Sequence, residues 1–298
     1  MSGTSFPSTP PGWTPVARRS VGPFTTHVTY EQADGTTVLW SSRGHRKHAS
    51  LLSRRRGRRE RVLQAARHAS WWIGILFVAG SACFLVAPMP WFLRMVGPAV
   101  DGAVFFVGSL LFTSAAALQW FETINADAGP GKRAGRFKAV TFEPRRIDWW
   151  SSGVQLVGTV FFNLTTFRAL QTSIESSSYD QLVWRPDALG SICFLVSGYL
   201  AYVEVSGHLF ARPGRTLESR IVTVNLLGCL AFGIAAVASY VVPSSDAVIS
   251  TGVTNVFTSL GALCFLIGAV LLLPEGVRDP DGAESSAPQG DAGGHSVG

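Results

Sequence analysis

Six apolar runs of about 20 residues, parted by polar loops, organise this chain. They cover residues 71–88, 102–121, 149–170, 187–210, 220–242 and 247–273. Each is apolar all round rather than along one stripe, the pattern of a helix surrounded by lipid or by other helices. A helix rises about 1.5 Å per residue and the hydrocarbon core is about 30 Å thick, so runs of this length predict spanning helices. The fold class that follows is all-α: a membrane domain over 71–273 with six transmembrane helices.

Every run carries one short pattern: Gly, a small residue, two further residues, then Phe. The copies begin at Gly80, Gly108, Gly158, Gly190, Gly228 and Gly261 and end at Phe84, Phe112, Phe162, Phe194, Phe232 and Phe265. Lipid gives helices no hydrophobic drive to associate, so small residues that let backbones approach become the contact points. The six glycines are therefore expected to pack helices, with Phe filling a neighbouring groove. From Gly108, Gly190 and Gly261 the even runs reach Glu122, Glu204 and Glu275 at one common offset. Three tandem helical hairpins follow, about 71–122, 148–210 and 218–274. Hairpins that leave and re-enter one face are related by rotation about the membrane normal, not by inversion.

Charge orients the bundle. The segment before Trp71 holds Arg43, Arg46, Lys47, Arg54, Arg55, Arg56, Arg58, Arg59 and Arg61, and the second loop holds Lys132, Arg133, Arg136, Lys138, Arg145 and Arg146. The fourth loop has Arg212 and Arg215, whereas the first has only Arg94 and the third only Arg185. Basic residues stay on the cytoplasmic side, so a multi-pass protein of the cell membrane with both termini cytoplasmic is predicted. Trp71, Trp72, Trp120, Trp149 and Trp150 then fall at inner boundaries, and Trp91 and Trp184 at outer ones.

Outside the runs, residues 1–24 are rich in Ser, Thr, Pro and Gly and read as disordered, as does the acidic tail 275–298. Residues 25–31 and 37–42 are β-branched and aromatic and flank Asp34-Gly35, which predicts a short β-hairpin within a cytoplasmic unit, 25–70. A lone hairpin is marginal in water, so it needs a surface, and the helix ends are the expected one. Arg54, Arg55, Arg56, Arg58, Arg59 and Arg61 are placed to attract anionic lipid, at about 1 kcal/mol each. No zinc-finger, helix-turn-helix or RNA-binding pattern accompanies them, so nucleic acid is not expected as a partner. Ser50 and Ser53 adjoin the cluster, where phosphorylation would act as an electrostatic switch. A second copy of the chain or another protein stays open as a partner.

Only 15% of the 298 residues are charged, against about 25% in soluble domains. Candidate chemistry is correspondingly sparse. There is no HExxH, GxSxG or phosphate-cradling loop, and Cys83, Cys193, Cys229 and Cys264 lack CxxC spacing. No enzyme, cofactor or metal is expected. Glu204 and His208, spaced i, i+4, share a helix face but supply only two ligands. Gln155, Thr159, Asn163 and Thr166 form one helical stripe. It reads either as a hydrogen-bonded seam between helices or as a path for a polar solute, and Asn225 and Asn255 suit both. The leading expectation is a non-enzymatic membrane protein with a structural, scaffolding or regulatory role. A small-solute transporter or channel with a polar path along the third helix comes second.

The pairs Trp149-Trp150…Gly158–Phe162 and Asp187…Gly190–Phe194 resemble the YrhK-like family of small two-span membrane domains. Trp71-Trp72…Gly80 with Gly108-Ser109 is similar, while the third hairpin lacks the Trp pair. The resemblance implies a membrane protein and brings no activity or site residues with it.

Overall fold

The computed structural model describes residues 12–43, 58–126, 140–170, 176–210, 212, 214–242 and 247–275. Three antiparallel strands come first, β1 (Thr14–Val21), β2 (Phe24–Glu31) and β3 (Thr37–Ser41), in the order β1-β2-β3. β2 and β3 form the expected hairpin. Asp34 closes its turn by accepting the Thr36 N–H at 3.0 Å and the Thr36 hydroxyl at 2.6 Å. Thr26, Val28 and Tyr30 alternate inward along β2 and are buried. β1 corrects the assignment of 1–24 to disorder over Thr14–Val21, while residues 1–11 lie outside the described residues. Its largely exposed side chains give no alternating apolar signal, and pairing with β2 supplies the order instead.

Each of the six apolar runs carries one helix among the described residues: α1 (Arg58–Val86), α2 (Pro90–Asn125), α3 (Ile147–Ala169), α4 (Arg185–Ser206), α5 (Leu217–Ala238) and α6 (Thr251–Glu275). A π-helical turn, Asp180–Trp184, feeds into α4, and Val241–Val242 pairs with Ala247–Val248 between α5 and α6. Four stretches are long and apolar enough to cross a membrane: Pro90–Asn125, Asp180–Ser206, Leu217–Ala238 and Thr251–Leu273. Within α1, Trp71–Val86 is apolar but shorter. α3 is diluted by its own polar stripe.

Several boundaries differ from expectation: α1 already begins at Arg58, inside the unit expected at 25–70, and α5 stops at Ala238, short of 242, where Val241–Val242 is strand. α2 starts at Pro90 because the chain breaks and resumes at Gly97, where φ is +79°, before Pro98. α4 stops at Ser206 because Gly207 takes φ +66° as its cap, leaving Phe210 outside. Residues 247–248 are strand, not helix.

The helices form a closed up-and-down ring: each packs on its chain neighbours, and α6 returns to α1. Gly74 of α1 lies under Leu273 of α6, and Ser259 donates to the Leu85 carbonyl at 3.4 Å. The starts of α1, α3 and α5 therefore share one end of the ring with the finishes of α2, α4 and α6. The small sheet sits at that end. Val21 and Phe24 pack on Ile147, Val203, Tyr199 and Leu200.

The Gly/Phe pattern makes the same contact three times. A methyl on Gly80 would meet the Gly108 carbonyl oxygen at 3.1 Å, one on Gly158 that of Gly190 at 3.2 Å, and one on Gly228 that of Gly261 at 3.1 Å. Each Phe lies across the partner's glycine, as Phe232 does over Gly261 and Phe112 over Gly80. The six rings meet on the axis as a collar. Their centroid separations run from 4.9 Å for Phe162–Phe194 to 6.2 Å for Phe84–Phe232. Aromatic pairs at such distances add about 0.5–1.5 kcal/mol each beyond area burial.

Candidate functional site

Between the collar and the sheet lies a cavity of about 100 Å³, enough for several waters. Phe77, Phe112, Phe194 and Phe265 line its collar side. Nearer the sheet the lining is polar. Gln119 comes from α2, Asp148, Ser151, Ser152 and Gln155 from α3, Ser197 and Glu204 from α4, and Asn225 from α5. Arg43 joins them from beyond β3 and is only 8% exposed.

The lining follows the repeat. Phe77, Gln155 and Asn225 each stand three residues ahead of the pattern's glycine in α1, α3 and α5, and all three face the cavity. Gln119, Ala201 and Leu272 occupy matching positions of α2, α4 and α6 and also line it. Equivalent positions thus surround the axis, and polarity is concentrated on α2 to α5.

Two carboxylates stand at the mouth. Asp148 is 1% exposed, in the first turn of α3, where the helix N-terminus favours negative charge. Arg146 meets it twice, from Nε to Oδ1 at 3.1 Å and from Nη2 to Oδ2 at 2.6 Å. The same guanidinium donates to Glu143 at 2.6 Å and to the Thr123 carbonyl at 3.0 Å, so it ties the end of α2 to the start of α3. Burial works to lower the Arg146 pKa; Asp148 and then Glu143 outweigh it and hold the guanidinium above its ordinary value. Glu204, 2% exposed, accepts the Ser42 hydroxyl at 2.8 Å. The sheet segment is therefore fastened to the mouth beside Arg43.

The predicted stripe divides. Gln155 lines the cavity and lies 3.5 Å from the Gln119 amide. Thr159, Asn163 and Thr166 sit deeper, in a seam between α2 and α3. Thr159 donates to the Leu156 carbonyl at 2.7 Å, and Asn163 donates to the Thr113 hydroxyl at 2.9 Å. Thr166 donates to the Phe162 carbonyl at 2.8 Å and lies 2.9 Å from Ser109 Oγ. Asn225 reaches over Gly268, where a methyl would sit 2.1 Å from its Oδ1.

The Glu204/His208 pair is not formed on one face, because Gly207 ends α4 between them and His208 is exposed. Among the described residues no group of three His, Cys, Asp or Glu is close enough to hold a metal. Arg54, Arg55 and Arg56 lie outside the described residues; Arg58, Arg59 and Arg61 open α1, where only the backbone is described. The six packing glycines all stand where the pattern placed them. Sequence reasoning missed Arg43 and Asp148, read as one more basic residue and as a helix start. No protein-family model, curated protein or solved structure matches the chain.

Proposed function

We propose that this chain is a six-span membrane protein that carries a small polar solute along the axis of its helical ring, with the phenylalanine collar as the barrier. The observation that carries this reading is the axial cavity: polar groups from α2, α3, α4 and α5 converge on it, and aromatic rings close its floor. Several of these groups bond one another, as Ser151 does with Ser197 and Gln119 with Gln155, so the polar lining is held in place around the space.

Six spans are favoured by the ring itself. α1 lies between α2 and α6, and α3 between α2 and α4, so both run beside helices that are long and apolar enough to cross. The outer faces agree: Val157 and Leu164 of α3 are exposed, like Ile192 of α4 and Leu227 of α5. The distribution of Lys and Arg favours a cytoplasmic sheet end and cytoplasmic termini, and the run of Arg from 54 to 61 favours attraction to anionic lipid. The recurring Gly/Phe contact supports internal triplication. The edge-on pairs Trp71–Trp72 and Trp149–Trp150, with centroids 5.0 and 4.9 Å apart, favour kinship of the first two hairpins with YrhK-like domains.

Hydroxyl-radical footprinting of the protein in native membranes tests the path, since radicals born in water oxidise only the side chains that water touches. Oxidation of Phe77 and Leu272, with Phe84 and Phe162 spared, is expected. Phe77 oxidised no faster than Phe162 would mean a dry core. That result would favour the second reading, a rigid scaffold, which the interlocked glycines and phenylalanines otherwise support.

A further inference from the structure

We infer that the cavity is built for a small organic cation of the guanidinium or alkylammonium class, and that Arg43 closes it by occupying the cation's place. The inference rests on the solute-carrier reading above and names both the substrate class and the regulation of that site.

Chemistry at the mouth supports the class. Among the described residues lining the cavity, Asp148 and Glu204 are the acids and Arg43 is the only cation. Arg146 lies outside the lining, engaged by Asp148, Glu143 and the end of α2. Asp148 keeps its Arg146 partner, so when the segment carrying Arg43 withdraws, the lining offers Glu204 as its acid and, among the described residues, no cation. A buried carboxylate is strongly stabilised by a cation in contact with it. Below them, the side-chain carbonyls of Gln119, Gln155 and Asn225 accept N–H groups, and the faces of Phe77 and Phe265 suit a weakly hydrated cation. Acids at the rim, acceptors in the wall and rings on the floor together describe an organic-cation site rather than an anion site.

Delivery of Arg43 supports the regulation. The residue belongs to no helix of the ring. It stands two residues beyond the end of β3, on a segment held by the Ser42–Glu204 hydrogen bond, by the apolar contact of Val21 and Phe24 with α3 and α4, and by Arg19 and His27 against Gly207. That attachment is small beside the interlocked helices and opens at lower cost than the ring does. The chain thus seats its own guanidinium where a free one would bind.

Reaction rates of single cysteines test this in membranes. Each is placed in the full chain after Cys83, Cys193, Cys229 and Cys264 are replaced by Ala, the residue already present at the matching positions 231 for the +3 cysteines and 262 for Cys229. Q155C is expected to react slowly with a cationic methanethiosulfonate and about tenfold faster when Arg43→Ala is added, with Arg43→Lys close to the parent. In the R43A chain the cationic reagent should outpace an anionic one. Methylguanidinium should slow the reaction, and methylurea, its neutral counterpart, should not. Equal rates with and without Arg43 overturn the plug. Equal protection by methylurea overturns the cation class while leaving the carrier reading intact. Labelling of N163C in the R43A chain also overturns the inference, since Arg43 would then hold the bundle together rather than fill its mouth. Protection of Q155C in both chains, with Phe77 spared by radicals, brings down the carrier reading itself.

Discussion

The two halves of α3 carry polar residues on one stripe and put them to opposite uses. In the half away from the sheet, Thr159, Asn163 and Thr166 spend their hydrogen bonds on their own helix or on Thr113 and Ser109 of α2. In the half nearer the sheet, Asp148 and Gln155 face a space that polar groups from four helices share. The helix is the same; what stands opposite differs. Across from the seam is a closely packed α2, and across from Gln155 is the axis of the ring. A polar stripe in a membrane helix therefore does not by itself distinguish a seam from a path.

The contrast can be broken most sharply at the mouth. Arg146→Met removes the bidentate partner of a carboxylate that is 1% exposed and should cost about 3–5 kcal/mol, read as a lowered Tm in detergent. The double variant with Asp148→Asn should recover much of that loss, because position 148 then leaves no unpaired charge buried. The collar gives the next effect. At Gly158 a methyl would stand 2.9 Å from Cys193 Cβ, so Gly158→Ala should cost about 1–3 kcal/mol. Gly252→Ala, where a methyl meets nothing within 4 Å, should be neutral or gain about 1 kcal/mol at most.

Within the stripe, Asn163→Leu should cost about 0.6 kcal/mol, the usual worth of a hydrogen bond between membrane helices, and leave Phe77 oxidation unchanged. Gln155→Leu should leave stability unaltered and reduce that oxidation. The smallest effect belongs to the sheet. His27, beside Arg19 and the cap of α4, is held below its ordinary value of 6.5 by burial first and the Arg19 charge second. The docked sheet prefers neutral imidazole, and the undocked form takes up a proton first as pH falls. Docking should therefore weaken below about pH 6.5, seen as lower hydrogen-exchange protection along β2 and lost in His27→Gln.

Much of this was readable along the chain. Helix positions follow from all-round apolarity, and Gly/Phe spacing marks contacts that each hairpin makes locally. Asp34-Gly35 announces its turn. β1 escapes notice because its polar side chains leave no period and its order comes from β2. The early start of α2 escapes because Gly97 and Pro98 read as loop. The site was legible only in pieces. Arg43, the Asp148/Gln155 pair on α3 and Glu204 on α4 are far apart in sequence, and only the packing of sheet and helices makes them neighbours.

That closure also has a history during synthesis. The principal helix contacts join elements consecutive in the chain, except for α6 returning to α1. Each hairpin can settle as it leaves the ribosome, but Gly74 must wait for Leu273 and the Leu85 carbonyl for Ser259. Until the final helix emerges, the ring has a lateral gap beside its first helix, and the axis is a groove rather than a chamber. The chamber is thus the last thing to be made, and a lesion near the end of translation is felt at the first helix inserted.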